Sequence, residues 1–495
     1  MTPAIVLAAD LGGTTTKAAL VASDGAVRAE AAVPAPAADP DGLIPPQGWW
    51  DGFIEAAREL QRHDPVAFGE VVAIAVTGVT RTPVVLDAAG EPLCRAITAR
   101  DVRAQAIAAE TPIDPAQCPE AARYDAFHPA ARLKWLVSRD PRALDRAAAV
   151  VDPKDFIAAR LTGRIASDAI SLARQIAAAD SSHGPSLLAR LGLPQSIVPE
   201  LIAPTRHMGV VRANLPAPLD QLAGRPVVMT AHDTWSGVVG LGALVAGRAY
   251  NVSGTTETFG VMGSHPVTAE GLMDVQWGAL HQIGGPGQNG ADVLAWLATI
   301  LHSGRPDAAA QRAVDVEAAL SAPRRAAPLL FLPFLAGERV PFWDADLRAA
   351  FLGLSREHGP ADMAWAVLEG IAFLNRIVLT RAEAAAGLAV DQVRLGGGAA
   401  RSAVWAQVKA DILERPVATV EAEEPGVFGA SLAAFVALGT FDTLDAAQQL
   451  MVRVARRYEP RPRTRDFYRA LGLLFADAHA AIRPLSHQLA RLTVP

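Results

Sequence analysis

The sequence predicts an α/β protein made of two related lobes, and three observations carry that expectation. Short apolar stretches of strand length alternate with longer stretches of helix length, the pattern of a layered α/β fold. The stretch Ala249–Met262, AYNVSGTTETFGVM, repeats the logic of Ala8–Val21, AADLGGTTTKAALV: each is a strand, a Gly-Thr-Thr turn and a strand. Hydrophobic residues make up 51% of the 495 and charged residues 19%, which supplies roughly two to four domains' worth of core and excludes disorder over most of the chain. Aligning Gly13 with Gly254 separates the two turns by about half the chain. The alternative is that two such turns arose by chance among 40 glycines.

In chain order, the N-terminus reads as a β-meander: Ile5–Ala9, a turn over 12–16, Lys17–Ala22, an Asp24-Gly25 hairpin turn and Val27–Val33. A loop rich in Pro and Ala over 34–46 precedes a helix from near Trp50 to about Arg62. Strands are expected at Val71–Thr77, Val84–Asp87 and Ala147–Asp152, and helices at Ala130–Ser138 and Pro153–Leu161. Val227–Thr234 reads as an apolar strand ending in a carboxylate, with a helix over Trp235–Val245. The second half continues with a helix Asp362–Ala386, a strand Gln392–Leu395 and a tight turn over 396–400. Helix Ser402–Leu413, strand Val417–Val420, helix Val427–Leu438 and helix Arg465–Ala481 follow. Chain order divides this into an N-terminal lobe, 1–245, and a C-terminal lobe, 246–485.

Composition excludes several function classes. Lys+Arg is 45 against Asp+Glu 51, a formal charge of −6, so no basic excess points to nucleic acid. The six arginines of Arg453–Arg465, with Tyr458 as their single interleaved aromatic, read as a charged surface. Cys94 and Cys118 supply neither a disulfide framework nor a Cys-based zinc site. The N-terminus carries no basic leader, and the apolar run Gly237–Gly247 is far short of the ~20 residues that span a bilayer. The expectation is a cytoplasmic protein without a membrane anchor.

The chemistry is sought in glycine-rich turns, because Gly-Lys and HExxH are both absent from the sequence. One GxGxxG match, Gly285-Pro286-Gly287-Gln288-Asn289-Gly290, lacks a clear βαβ setting and reads as a plain loop. Asp10 ends the first strand before Gly12, Gly13, Thr14, Thr15 and Lys17. Small residues let backbone N–H groups approach phosphate oxygens, threonine hydroxyls add donors, and Lys17 adds charge. A carboxylate beside such a loop holds Mg²⁺, usually through water. An ordinary hairpin with Asp10 as turn former is the plainer alternative. Ser253-Gly254-Thr255-Thr256 offers the same donors from the second lobe, and Gly396-Gly397-Gly398 is either a nucleotide-binding turn or an ordinary strand-to-helix turn. Asp233, at the end of its expected strand, either accepts a hydroxyl proton during phosphoryl transfer or caps the following helix.

The order Asp-Leu-Gly-Gly-Thr-Thr-Thr-Lys, His232-Asp233-Thr234, Ser-Gly-Thr-Thr, Gly337-Glu338-Arg339-Val340-Pro341 and Gly-Gly-Gly-Ala-Ala-Arg-Ser (396–402) resembles the FGGY carbohydrate kinases of the actin-like ATPase superfamily. The resemblance runs from about residue 4 to about residue 440. It implies two actin-like, ribonuclease H-like lobes with an interdomain ATP/sugar cleft, and phosphorylation of a sugar hydroxyl by Mg-ATP. By position it implies Asp10 for Mg²⁺, and Gly12, Gly13, Thr14, Thr15 and Lys17 for terminal phosphates. Gly254, Thr255 and Thr256 would meet phosphates from the second lobe, and Gly397, Gly398 and Ser402 would line the adenosine pocket. Asp233 is the implied base. Trp50, Arg81, Asp101, Arg103 and His232 are the implied sugar contacts, and a homodimer is compatible with the family.

The departures fall where the sugar is chosen. Gly78-Val79-Thr80-Arg81-Thr82 stands where xylulose kinases usually read Gly-Gln-Met-His-Gly, and the family's Trp before Asp-x-Arg is Ala99. Glycerol kinases would place Gln-Arg-Glu around 79–81. The second-lobe motif is similar to the fuculose and rhamnulose kinases, and Gly337–Pro341 to the xylulose and gluconate kinases. A ketopentose such as xylulose is the expected acceptor. Fuculose, rhamnulose, gluconate, erythritol or glycerol, or a sugar sensor without catalysis, are the alternatives.

Overall fold

In the computed structural model, which describes residues 3–98, 101–111, 124–182, 184–301 and 327–492, the N-terminal meander forms as its alternation predicts. Strands β1 (Ile5–Leu11), β2 (Thr15–Ala22) and β3 (Val27–Pro34) pair antiparallel, and β1 then pairs parallel with β4 (Val71–Gly78). Pro226–Val228 adds parallel to β4, and His207–Val210 closes this six-stranded sheet. β1 is apolar almost throughout because both of its faces are covered, which is the usual condition of a parallel strand. Ala99 and Cys118 lie outside the described residues.

The chain forms two compact units that exchange a segment: Met1–Gly240 with Glu424–Val452, and Leu241–Glu423 with Arg453–Pro495. The exchange follows from one helix pair in the first unit. Helix Asp233–Gly240 crosses helix Pro425–Ala437, which also packs on β1 and β4. A Cβ on Gly240 would stand 1.9 Å from the Pro425 carbonyl oxygen, and one on Gly429 would stand 1.8 Å from that of Ser236. The helices therefore meet backbone to backbone, a separation that only glycine permits.

Two expected elements are shorter than the sequence suggested. The strand expected over Val227–Thr234 stops at Val228, and the helix expected from Trp235 starts at Asp233 and ends at Gly240. Beyond Val228 side-chain hydroxyls take over from the ladder: Thr230 Oγ1 donates to Val76 O at 2.6 Å, and Thr77 Oγ1 to Ala231 O at 2.8 Å. The helix stops because the chain turns through Gly242, at φ 67°, where its carbonyl accepts from Arg248.

The second unit repeats the plan. Ala249–Ser253 and Glu257–Gly263 form its central hairpin, extended on one side by Leu280–Pro286 and Met273–Trp277. On the other side lie Val393–Gly396, Val417–Val420 and the edge strand Val454–Tyr458. In both sheets the Gly-Thr-Thr hairpin is followed by parallel neighbours, as the internal repeat implies. Helix Pro360–Ala386 is long and apolar enough to cross a membrane, but 72% of its apolar window is buried, as befits the core helix of this unit.

Glu338 ties two loops of this unit together. Its carboxylate, 3% exposed, accepts from the backbone N–H of Gln288 and of Arg339 and from Asn289 Nδ2, while Asn289 also donates to Gly337 O. Burial pushes the carboxyl up to about 7, against the opposing pull of these donors.

Two outcomes follow from these packing arguments. Alanine at Gly429 gains up to ~1 kcal/mol of helix propensity, but its methyl meets a carbonyl that cannot rotate away, so a net loss of about 1–3 kcal/mol is expected in the melting of the first unit. Folded Glu338 binds more protons than the unfolded chain between about pH 4.5 and 7, so its burial lowers stability as pH rises through that window. Glu338→Gln should therefore flatten the fall in Tm between about pH 5 and 8, an effect of up to roughly 3 kcal/mol. An unchanged slope would count against a buried, protonating Glu338.

Candidate active site

The β1–β2 hairpin sets the first cluster. Its register opposes Asp10 to Lys17 and Leu11 to Thr16, and Gly12 N donates to Thr15 O at 3.1 Å. A Cβ on Gly12 would lie 2.7 Å from that carbonyl, so the turn closes only on glycine. Gly13 has no neighbour within 4 Å of its Cβ position, and Gly13 and Thr14 are exposed. The turn thus offers bare backbone and hydroxyls to solvent, a surface suited to an anion.

Asp233 opens its helix close behind β1. The helix is capped by His232, whose Nδ1 accepts from Trp235 N at 3.3 Å, so the cap that was the alternative role for Asp233 is made by its neighbour. Asp233 Oδ1 accepts from Thr234 N at 2.6 Å and from the Thr234 hydroxyl at 3.2 Å, and the side chain stays 36% exposed. Ser236 Oγ donates to Thr77 Oγ1, which locks the helix start onto β4.

Asp10 is the electrostatically costly member of the cluster. Burial, then the negative field of Asp233, then that of Glu424, push its carboxyl up to about 7, while Lys17 pulls it down. Its Oδ1 is buried with no hydrogen-bond partner. A buried carboxyl with an unpartnered oxygen and a second carboxylate nearby fits a bound divalent cation. Among the described residues no group of three or more His, Cys, Asp or Glu side chains forms a metal cage. The cation such a site takes is one that keeps water and phosphate oxygens as ligands.

The expected sugar contacts divide. Arg81, at φ 57°, Asp101 and Arg103 are gathered by Arg132, a fully buried arginine not singled out in the sequence. Arg132 donates to Arg81 O at 2.6 Å and to Asp101 O at 3.2 Å, and Asp101 pairs with Arg103 Nε at 2.7 Å. Asp152 holds the same loop, accepting from Thr80 Oγ1 and Thr82 N. The signal in sequence was an arginine on the apolar face of helix Pro129–Arg139. Trp50 is different: it is 3% exposed, lies beside Phe53 and carries Arg160 over its ring, so the core takes it up.

In the second unit, Gly254 N donates to Thr256 O across the turn, and Ala291 N donates to Gly254 O at 2.8 Å. The GxGxxG stretch, expected as a plain loop, buttresses this turn. A Cβ on Gly290 would lie 2.6 Å from the Thr256 carbonyl carbon, and Gly287 N donates to Glu257 O. Gly397, at φ 78°, presses on the same turn, its Cβ position 2.5 Å from Ser253 O. Ser402 caps helix Ala403–Leu413 by accepting from Trp405 N. Glu257 below the turn is buried and is held by Asn251, Ser253 and Lys409. His281 pairs with Asp274 across adjacent strands, and Trp235 is core.

Residues 5–240 match the N-terminal domain of the FGGY family of carbohydrate kinases, and residues 249–438 match its C-terminal domain. A gluconokinase of Bacillus licheniformis is 26% identical over 519 aligned positions, covering 98% of this chain and 97% of the relative. A xylulose kinase of Escherichia coli is 28% identical, covering 74% of this chain and 75% of the relative. The solved structure of a xylulose kinase from Rhodospirillum rubrum superposes with a TM-score of 0.83 at 25% identity, covering 98% of this chain and all of the other. With both domains matched in order, and the two-domain actin-like fold shared, the chain belongs to the FGGY family of carbohydrate kinases.

Proposed function

We propose that the protein transfers the γ-phosphoryl group of ATP to a hydroxyl of a small sugar, with Asp233 as general base. The observation that carries this reading is the grouping of Asp10, Lys17 and Asp233 at one end of the first sheet, with Asp233 solvent-accessible and one oxygen of the buried Asp10 carboxyl without a hydrogen-bond partner. Asp233 takes the proton of the attacking hydroxyl as the new O–P bond forms and the bond to the ADP oxygen breaks. Gly12, Gly13, Thr14, Thr15 and Lys17 hold the terminal phosphates. Gly254, Thr255, Thr256, Gly397, Gly398 and Ser402 serve the nucleotide in the second unit. Asp10 would hold Mg²⁺, which when bound neutralises phosphate charge. His232 fixes the start of the Asp233 helix, and Arg81, Asp101 and Arg103 shape the acceptor side. Trp50 acts there from beneath, as packing.

For the acceptor we propose a ketopentose such as xylulose. A sugar acid is the second reading, favoured by Arg81 in the variant 78–82 loop and by the likeness to a gluconokinase.

Asp233→Asn should lower kcat by about 10²–10⁴-fold while leaving nucleotide affinity intact, since the base acts on the acceptor. Wild-type turnover in that variant would sink the mechanism. Across D-xylulose, L-ribulose, D-gluconate, glycerol and erythritol, ADP formation should be fastest with xylulose. A gluconate response moves the acceptor to the sugar acids. Sugar binding by calorimetry without any ADP formation identifies a sensor.

A further inference from the structure

Outside the expected site residues, one segment reaches the phosphate cluster from the far end of the sequence. Lys17 Nζ lies 2.6 Å from Glu424 Oε2, with both side chains about one third exposed at 37% and 35%. Two residues on, a Cβ at Gly426 would stand 2.4 Å from Asp10 Oδ2 and 3.3 Å from its Cγ, so the Asp10 carboxylate rests on a bare glycine. Glu424 and Gly426 flank Pro425, the first residue of helix Pro425–Ala437, whose place is set by the Gly240–Gly429 crossing. All of these residues belong to one compact unit.

We infer that Glu424-Pro425-Gly426 is a positioning element for phosphoryl transfer: Glu424 fixes the Lys17 ammonium, and the missing side chain of Gly426 sets where the Asp10 carboxylate stands. The inference rests on the assignment of Asp10 and Lys17 to the phosphate site. A lysine on a flexible four-carbon stem contributes to transfer only when its charge is held near one place. Glu424 supplies that hold in the ligand-free protein and competes with an incoming polyphosphate for the same ammonium. Neutralising Glu424 therefore has two opposed consequences, easier nucleotide binding and poorer alignment of Lys17. Gly426 acts by shape. Gly426 is the second residue of its helix, and the space a side chain would take there is filled by the Asp10 carboxylate. Because Asp10 is the end of a side chain, a methyl there displaces the carboxylate rather than the fold.

Three substitutions, singly and with two of them combined, test this, with turnover, Tm and calorimetric titration of a Mg-bound, non-hydrolysable ATP analogue as readouts. Gly426→Ala should keep or raise Tm and weaken the analogue about 10-fold, with turnover falling alongside. Parent-like affinity and turnover would overturn the role of Gly426. Glu424→Gln should lower kcat roughly 10-fold while the analogue binds as tightly as in the parent or several-fold more tightly, a split that general damage does not produce. A Tm loss with unchanged kcat would make Glu424 merely structural and overturn its part. In the Lys17→Met background, Glu424→Gln should add no further loss of turnover, since it acts through Lys17, and an additive loss overturns that route. If Lys17→Met alone keeps parent turnover, the phosphate-site reading itself fails. If Lys17→Met is impaired while Gly426→Ala and Glu424→Gln are not, only the present inference falls.

Discussion

The bare-backbone crossing of helices Asp233–Gly240 and Pro425–Ala437 is the contact on which the first unit depends. Gly240 and Gly429 let the helices approach until carbonyl oxygens fill the space where Cβ atoms would stand. That approach places the start of one helix, with Asp233, and the start of the other, with Glu424 and Gly426, around the same strand end. β1 supplies Asp10 to this point, and β2 supplies Lys17 through the hairpin register. A wider crossing built on alanine would separate these groups, which is why small residues matter here more than the size of the apolar surface.

The electrostatics of the cluster follow from that closeness. Asp10, Asp233 and Glu424 bring three carboxylates to one lysine, and Asp10 is the member whose charge is least supported. Burial raises its carboxyl most, the fields of Asp233 and Glu424 add to that, and its Oδ1 has no hydrogen-bond partner. The second unit manages buried carboxylates differently. Glu257 has Lys409 as a buried counter-ion, and Glu338 is surrounded by neutral N–H donors that organise its loops. One unit therefore leaves a carboxylate oxygen unpartnered, while the other uses its carboxylates to tie its loops and turns together.

Much of the fold was legible because it is written locally. The meander 5–34, the two Gly-Thr-Thr hairpins and the alternation of strand and helix depend on neighbours in sequence and on turn residues that close only one way. Asp10 and Lys17 were legible for the same reason, being cross-strand partners in a tight hairpin. The strand before Asp233 was misjudged because Thr230 and Thr77 replace ladder bonds with hydroxyl bonds to distant carbonyls. Gly285–Gly290 reads as a plain loop in sequence because the turn it supports, 253–256, lies some thirty residues earlier in the chain. Trp50, a sugar contact by the resemblance alone, is 3% exposed and packed in the core.

By itself the sequence determined the fold class, the internal repeat, the family and the types of residue at the two Gly-Thr-Thr turns. These rest on short-range pattern: periodicity, turn chemistry and motif order. The tertiary structure decided which residues share a site. Lys17 and Glu424 are 407 positions apart yet lie 2.6 Å from one another, and Arg132 gathers Arg81 and Asp101 from 51 and 31 positions away. No local periodicity encodes such pairs, because they arise only when helix crossing and sheet order bring remote backbones together and charges settle against one another there.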